Sequence, residues 1–225
     1  QTLGDGTFLI TSFNRMGIFS EEGIKLKDLS ISSLPIETDL QELDYGVIFS
    51  KDQKNIFSLP GTRFFGPRTF ARINLETFKI DNFPIPEMDW IFDLKVGTAN
   101  QVIFQEYMYL QELNHHILAL SPSTSSFYRF DQKTDSLMYH SFIHMQSPAF
   151  NDTELKTIVE TDEEYQEEMR KFFKGMYFGP LIWHEKEQVY IRFGRKTKEM
   201  DESWQSISSQ VFMYAYDQDF NLVGE

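Results

Sequence analysis

Short apolar runs separated by turn-forming residues dominate the chain, and this pattern predicts β-strands. The clearest runs span residues 7–12, 46–49, 55–59, 102–104, 117–120, 127–130, 137–143 and 211–216. They are rich in aromatic or branched side chains, which favour pleated strands, and residues such as Gly, Asn, Asp or Lys separate them. Because turn signals recur about every 8–14 residues, as in antiparallel sheets, we predict an all-β fold.

One hairpin pattern occurs four times. In each copy an apolar or aromatic strand end precedes a small polar residue that starts a turn, namely Ser20, Asn74, Asp131 and Asp217, at intervals of 54, 57 and 86 residues. Repeats of this length are typical of β-propellers, in which each blade is a small antiparallel sheet. We favour part of a six- or seven-bladed ring over a small complete propeller, and a two-sheet β-sandwich is the alternative.

One segment has helical periodicity instead. In residues 161–174 the apolar side chains of Tyr165, Met169, Phe172 and Phe173 fall on one helix face, and Thr161 and Glu164 form a capping-box pattern. The longest hairpin interval exceeds the previous one by 29 residues, the length of segment 147–175. We predict that residues 1–225 form one domain, interrupted between blade strands by a helical insertion at 147–175, with its helical part near 152–175. The insertion serves either as a structural cap or as a functional lid.

A second repeat supplies the candidate binding residues. Phe65-Gly66-Pro67-Arg68 recurs 113 residues later as Phe178-Gly179-Pro180-Leu181, each time before an aromatic-rich strand. Strand alternation places Tyr190 and Arg192 on one face, with Arg72 as the counterpart in the earlier copy. We expect these side chains to line the mouth of the ring and to recognise an anionic or hydroxylated ligand. The alternative is that Arg192 pairs with an acid of a neighbouring blade. The candidate binding residues are Arg68, Arg72, Trp183, Tyr190 and Arg192.

Composition narrows the possible partners. The net charge is −13, from 34 acidic and 21 basic residues, which disfavours nucleic acid and anionic membranes. The sequence has no cysteine, so disulfide and thiolate chemistry are excluded. No apolar run reaches the length of about 18 residues that predicts a transmembrane helix.

Motifs for catalysis are sparse. The sequence has neither a Gly-x-Ser-x-Gly elbow nor a phosphate-binding glycine loop. His140 and His144 would lie too far apart on one strand to share a metal ion, so we expect neither a cofactor nor a metal. Asp89-Trp90 and the Asp201–Trp204 stretch place carboxylates beside tryptophan, a combination that sugar-binding sites use. An enzyme is therefore the less favoured reading.

The C-terminal quarter of the chain resembles a known family. The resemblance rests on Tyr177-Phe178-Gly179-Pro180-Leu181-Ile182-Trp183, on Val189-Tyr190-Ile191-Arg192-Phe193, and on Asp217 and Phe220 followed by Val223-Gly224-Glu225. The family is one of bacterial envelope lipoproteins described only as a domain of unknown function and grouped with six-bladed, TolB-like β-propellers. This chain departs from it at Trp183-His184-Glu185, where the family often has Tyr-Asp and a basic residue. The resemblance implies a place in the cell envelope, in the periplasm or on the outer surface, and a lipid anchor on a cysteine upstream of Gln1.

Together these observations predict a non-catalytic envelope propeller. It would bind a protein, peptide or glycan ligand, or scaffold a partner protein, on one face of the ring. The alternative function is a carbohydrate-active hydrolase or lyase that uses surface carboxylates.

Overall fold

The structure, a computed structural model, describes residues 2–3, 6–12, 15–29, 47–50, 52–60 and 69–225. It divides into two compact units, Gln1–Pro86 and Glu87–Glu225. The strands are β1 (Phe8–Ser12), β2 (Arg15–Phe19), β3 (Lys25–Asp28), β4 (Ile48–Phe49), β5 (Asn55–Ser58), β6 (Thr69–Asn74), β7 (Ile80–Pro84), β8 (Lys95–Thr98), β9 (Gln101–Gln105), β10 (Tyr109–Leu113), β11 (His116–Leu120), β12 (Phe127–Asp131), β13 (Ser136–His140), β14 (Met176–His184), β15 (Val189–Met200), β16 (Ser206–Tyr216) and β17 (Leu222–Gly224). A 3₁₀ helix spans Pro86–Asp93, and helix α1 spans Asp162–Lys174.

The strands form antiparallel sheets in which neighbours follow chain order. The N-terminal unit contains a three-stranded sheet, β1–β3, and a four-stranded sheet, β4–β7. The C-terminal unit contains the two-stranded sheet β8–β9 and two four-stranded sheets, β10–β13 and β14–β17. The all-β prediction with one helix is confirmed for the described residues. A sequential four-stranded antiparallel sheet is also the strand order of a propeller blade.

Apolar side chains from facing sheets form the main core of each unit. In the N-terminal unit, Leu9 and Ile18 of one sheet cluster with Ile56 and Ile73 of the other. In the C-terminal unit, the cluster between sheets β10–β13 and β14–β17 is unusually aromatic. Its buried members are Leu118, Leu120, Phe127, Met176, Phe178, Leu181, Tyr190, Tyr214, Tyr216 and Phe220.

The repeated hairpin occupies an equivalent position in four sheets. Ser20 follows β2, Asn74 ends β6, Asp131 ends β12 and Asp217 follows β16. In every case the turn joins the penultimate strand of its sheet to the last strand. The sequence pattern therefore identified one recurring structural unit.

A side-chain oxygen closes each of these turns. Asn74 Oδ1 accepts hydrogen bonds from the N–H groups of Glu76 and Thr77, both at 2.9 Å. Asp217 Oδ1 accepts from Asp219 N at 2.9 Å and from Asn221 N at 2.8 Å. The side chain of Asn221 and these N–H groups lower the pKa of Asp217. Short polar side chains start such turns because they satisfy backbone donors that the strands leave free.

Helix α1 begins where the capping pattern placed it. Thr161 is the N-cap, and its hydroxyl accepts a hydrogen bond from Glu164 N at 3.2 Å. The carboxylate of Glu164 accepts from Glu160 N instead of reaching the Thr161 N–H, so only half of the capping box forms. Within the described residues, no helix has both the length and the apolarity needed to cross a membrane.

The helix packs on sheet β8–β9. Met169 and Phe172 form a buried cluster with Val96 and Val159, and the rings of Phe104 and Phe172 lie 4.7 Å apart. The chain segment 141–175 joins the last strand of one four-stranded sheet to the first strand of the next, so the helix does not lie between strands of one sheet.

Gly175 ends the helix for a reason other than a left-handed backbone. Its φ is −65°, a value open to any residue, but an added Cβ would lie 2.1 Å from Asn151 Oδ1. Asn151 is buried and donates to Phe172 O at 3.2 Å. Glycine is therefore needed because the Asn151 side chain approaches the helix end closely.

Replacement of the turn residue Asp217 tests the hairpin chemistry. We expect Asp217→Ala to lower the free energy of unfolding by about 1 kcal/mol, because two backbone N–H groups lose their acceptor. Asp217→Asn keeps the Oδ1 acceptor and should cost less. Urea denaturation measures both. The control Asp219→Ala removes an exposed acid from the same turn, and an equal loss in that variant would contradict the proposed role of Asp217.

Candidate functional site

The five candidate residues from the sequence do not form one site. Arg68 lies outside the described residues. Arg72 belongs to the N-terminal unit, whereas Trp183, Tyr190 and Arg192 lie together in sheet β14–β17 of the C-terminal unit.

Arg72 forms an ion pair with a residue of its own sheet. It lies on β6 opposite Asp81 on β7, and its Nη2 is 2.7 Å from Asp81 Oδ2. Lys79 binds the other carboxylate oxygen at 2.7 Å. Hydrogen bonds from Lys79 and Arg72 lower the pKa of Asp81. The sequence analysis treated Arg72 as the counterpart of Arg192, but the two residues do not occupy equivalent strands. Arg72 lies on β6, the third strand of its sheet, whereas Arg192 lies on β15, the second strand of its sheet. A Gly-Pro pair indicates that an extended segment follows, but it does not set strand order.

Arg192 is a fully buried cation. Its exposed fraction is 0%, so the expectation that it lines an open mouth was wrong. No acid among the described residues pairs with it as expected: Nε donates to Gly179 O at 2.7 Å, Nη1 to Ser125 O at 2.6 Å and Nη2 to Ser121 O at 3.1 Å. The Phe178 ring lies 5.3 Å from the guanidinium carbon. Burial lowers the pKa of Arg192, and carbonyl dipoles solvate the charge that remains.

These contacts join two sheets. Gly179 belongs to β14, in the sheet of Arg192 itself, whereas Ser121 and Ser125 lie in the loop between β11 and β12 of the facing sheet. We call residues 121–126 the serine loop; every one of its residues is buried. It also accepts a hydrogen bond from Phe178 N at Pro122 O, 2.7 Å away. The role of Arg192 in the structure is therefore to join these sheets.

Tyr190 and Trp183 belong to the same interface. They pair across β14 and β15, with ring centroids 4.8 Å apart. Tyr190 is buried and stacks on Phe220 at 4.4 Å with an angle of 2° between the rings. Its hydroxyl accepts from Asn114 Nδ2 of the facing sheet at 3.4 Å. Tyr190, like Arg192, is enclosed between sheets.

Phe220 is the centre of a second contact between these sheets. It follows Asp217 in the repeated turn, with a left-handed φ of 64°, and the rings of His116 and His140 lie 5.8 and 5.5 Å away. The Arg129 guanidinium carbon lies 5.4 Å from the Phe220 ring. His116 Nδ1, His140 Nε2 and Arg129 Nε are buried and have no hydrogen-bond partner. Burial first, and then the Arg129 and His116 charges, lower the pKa of His140 to about 4.

A buried acid supports the opposite side of the serine loop. Glu106 accepts hydrogen bonds from the Ser123 hydroxyl and from Tyr107 N. Burial raises the pKa of Glu106. The loop is therefore held by Arg192 at its carbonyl groups and by Glu106 at one hydroxyl.

The serine loop forms one wall of a cleft in the C-terminal unit. The cleft has a volume of about 680 Å³, and Thr124 and Ser126 of the loop line it. The aromatic residues Trp90, Tyr139, Phe142 and Phe150 also line it, together with Ile143, His144, Ser147, Pro148 and Ala149. None of these lining residues carries a carboxylate, an ammonium or a guanidinium group. A half-open, mainly apolar cleft of this size is typical of ligand sites.

Local contacts hold the aromatic walls in place. Glu87 N donates to Tyr128 Oη at 3.2 Å, which fixes the 3₁₀ helix that carries Trp90 against sheet β10–β13. The Trp90 and Phe150 rings meet edge to face at 5.7 Å. Phe150 is held by an antiparallel bridge to Thr124.

The sequence indicated this cleft only in part. Asp89-Trp90 had been singled out as an acid beside tryptophan, and Trp90 does line the cleft, but Tyr139, Phe142 and Phe150 had not been identified. They come from a strand and a loop that share no motif, so no pattern in the sequence marked them as cleft residues. No group of three potential metal ligands was found among the described residues.

The partly buried His140 predicts an acid-sensitive fold. Because the pKa of His140 is about 4 in the folded state and about 6.5 in the unfolded chain, the unfolded chain binds more protons between these values. The His140 contribution to stability is complete above pH of about 6.5 and is lost as the pH falls towards 4. We expect His140→Phe, which keeps a ring against Phe127 and Phe220, to flatten the fall of the urea midpoint over this range. An unchanged pH dependence in that variant would exclude His140 as its source.

The comparisons with known proteins confirm one part of the resemblance noted in the sequence, the membership of a domain family of unknown function. The family described as "Domain of unknown function (DUF4221)" matches residues 1–225. The fold is similar to that of a DUF4221 family member from Bacteroides vulgatus, with 11% identity and a TM-score of 0.60. That match covers 97% of this chain and 63% of the other, so this chain spans less than two thirds of the solved family member.

Other likenesses are weaker. Dipeptidyl peptidase 4 of Porphyromonas gingivalis matches with 9% identity and a TM-score of 0.49, over 99% of this chain and 31% of its own. A protein of unknown function from Bacteroides caccae matches with 7% identity and a TM-score of 0.34, over 99% and 78% of the two chains. A search of the curated proteins found no match. Because the DUF4221 match extends over all 225 residues, this protein belongs to the DUF4221 family, a domain of unknown function.

Proposed function

We propose that this chain is a non-catalytic binding domain of the bacterial cell envelope, and that it holds a ligand or partner protein in the aromatic cleft. The observation that carries the proposal is the cleft itself, with four aromatic residues and no charged group among its lining residues. Aromatic surfaces supply large contact areas at low entropic cost.

The scaffold part of the proposal is a propeller of the six-bladed type, of which this chain forms a part. Three sequential four-stranded sheets, and one hairpin turn repeated at equivalent positions, support it. Both faces of strand β11 are buried, since adjacent residues Leu118 and Ala119 point in opposite directions and neither is exposed. Sheets stacked between neighbours on both faces are expected in a propeller.

The location rests on the family resemblance. The motif that ends in Val223-Gly224-Glu225 resembles that of envelope lipoproteins, so a place in the envelope and a lipid anchor upstream of Gln1 are parts of the proposal. In the structure these motif residues have structural roles: Asp217 closes the turn, Phe220 packs between sheets, and Glu225 accepts from Met145 N and Gln146 N.

Binding is favoured over glycoside hydrolysis at this site. Hydrolysis by the usual mechanism needs two carboxyl groups about 5–9.5 Å apart on either side of the bond that is cleaved. The residues that line the cleft contribute none. The carboxylate near Trp204 has a structural role instead of a catalytic one in this proposal. Asp201 Oδ1 accepts hydrogen bonds from Ser203 N and Gln205 N and so closes a turn.

Substitution of Trp90 tests the proposed function. We expect ligands selected from arrays of envelope oligosaccharides and synthetic peptides to bind Trp90→Ala about tenfold or more weakly than the unmodified protein, because a central aromatic contact is lost. The control Trp204→Ala removes a half-buried tryptophan that packs on Phe173 at 6.0 Å, away from the cleft lining, and should bind normally. Binding is measured by fluorescence anisotropy. Failure of both arrays to yield any ligand, or equal binding by Trp90→Ala, would reject the proposal.

A further inference from the structure

Two exposed carboxylates flank Trp90 on its own helix. Side chains three residues apart are aligned in a 3₁₀ helix, so Glu87, Trp90 and Asp93 form one row along Pro86–Asp93. Glu87 and Asp93 are exposed, and Trp90 between them is half-buried in the cleft wall. A ligand that packs on Trp90 therefore approaches a negative charge at either end of this row.

A third carboxylate adds to the same negative field. Asp89 is half-buried, and its Oδ1 is enclosed without a hydrogen-bond partner. Burial raises the pKa of Asp89, and the charges of Asp93 and Glu87 raise it further. In the part of the chain that the structure describes, the observed ion pairs include none of these three acids. Their charges are therefore available to a cation from outside.

Residues 142–144 also line the cleft, and Ile143 and the adjoining Met145 form an aliphatic rim. Side chains alternate along residues 142–145: Phe142 and His144 turn inward and pack on Tyr216 and Tyr214, at 4.7 and 4.1 Å. Ile143 and Met145 consequently point outward and are 91% and 92% exposed.

This rim is fixed in place, because the Glu225 carboxylate accepts hydrogen bonds from Met145 N at 3.0 Å and from Gln146 N at 3.2 Å. Together with the aromatic lining of the cleft, these exposed side chains enlarge the continuous apolar surface, and large surfaces of this kind are typical of sites that a partner covers.

We propose that the cleft binds an extended polypeptide segment, whose apolar side chains pack between the aromatic walls and the Ile143–Met145 rim, and whose Lys or Arg side chains lie against Glu87 and Asp93. This inference rests on the proposed binding function and assigns it a ligand class. Complementary charge supports it, since a cationic segment is attracted both by this row and by a chain of net charge −13.

The polar groups of the cleft favour a polypeptide over a sugar. Sugar recognition needs many free hydrogen-bonding groups, but the Thr124 and Ser147 hydroxyls are already bonded to Ala149 O, Pro148 O or Tyr214 Oη. Aliphatic rim side chains offer a sugar hydroxyl no partner. They suit the apolar side chains of a peptide.

Matched peptides test the charge preference. Three labelled peptides share one core of Leu, Pro and Phe and carry Lys, Ser or Glu at both ends. We expect the Lys-flanked peptide to bind about tenfold more tightly than the Glu-flanked one at low salt, with Ser between them, and the difference to shrink at high salt. The double variant Glu87→Gln/Asp93→Asn should reduce this preference to about twofold. Glu185→Gln/Glu187→Gln, which removes two exposed acids from the turn after β14, should preserve it.

A second pair of variants tests the rim. Ile143→Ser and Met145→Ser change exposed side chains, so folding should be unaffected, and combined they should weaken all three peptides about tenfold. Equal affinity for the three peptides, or a Lys preference that survives in Glu87→Gln/Asp93→Asn, would overturn the inference. An oligosaccharide that requires Trp90, with no peptide bound, would overturn the peptide class and leave the proposed function intact. If no ligand of either kind requires Trp90, the proposed function fails as well.

Discussion

The C-terminal unit depends on one buried charge. Arg192 has no contact with water, yet its guanidinium group donates to three backbone carbonyls, one on its own sheet and two on the serine loop of the facing sheet. A buried cation is tolerated only where its donors are satisfied, and it strongly favours the arrangement that satisfies them. The side chain therefore selects one placement of the serine loop relative to β14 and β15.

The cleft follows from that placement. Arg192 binds the loop carbonyls at Ser121 and Ser125, while Thr124 and Ser126 of the same loop face the cleft. Ser125 N also donates to Ala149 O at 2.8 Å, which holds the segment that carries Phe150. A residue buried between sheets therefore shapes a surface that it does not itself reach. Residues of the C-terminal motif, such as Arg192, can therefore have a structural role even though the cleft is the better candidate for a functional site.

Hydrogen bonds between residues close in the chain could be predicted from the sequence, whereas contacts between distant segments could not. The turn residues Asn74, Asp131 and Asp217 were identified correctly because their side chains bond backbone groups only two to four residues away. Thr161 was found as an N-cap for the same reason. Alternation also placed Tyr190 and Arg192 correctly on one face of β15.

The sequence did not indicate which groups this face of β15 contacts. A pattern of residues cannot distinguish a carboxylate partner from three backbone carbonyls, two of them on a loop 67 and 71 residues earlier in the chain. The charge of Arg192 therefore suggested a ligand or an acid. The cleft was missed in a similar way, because Trp90, Tyr139 and Phe150 are distant in the sequence and line one cleft only in the folded chain. Core and cleft aromatics look alike in sequence.

Hydrogen exchange at the serine loop in Arg192→Met tests the central claim most directly. Methionine matches the length of the arginine stem but leaves the carbonyls of Gly179, Ser121 and Ser125 without donors. Arg195→Met, on the exposed side of the same strand, is the control. The account predicts that the amides of Ser125 and Ser126 lose protection in Arg192→Met and keep it in Arg195→Met. Full protection of the serine loop in Arg192→Met would show that the loop, and the cleft wall it forms, do not depend on the buried charge.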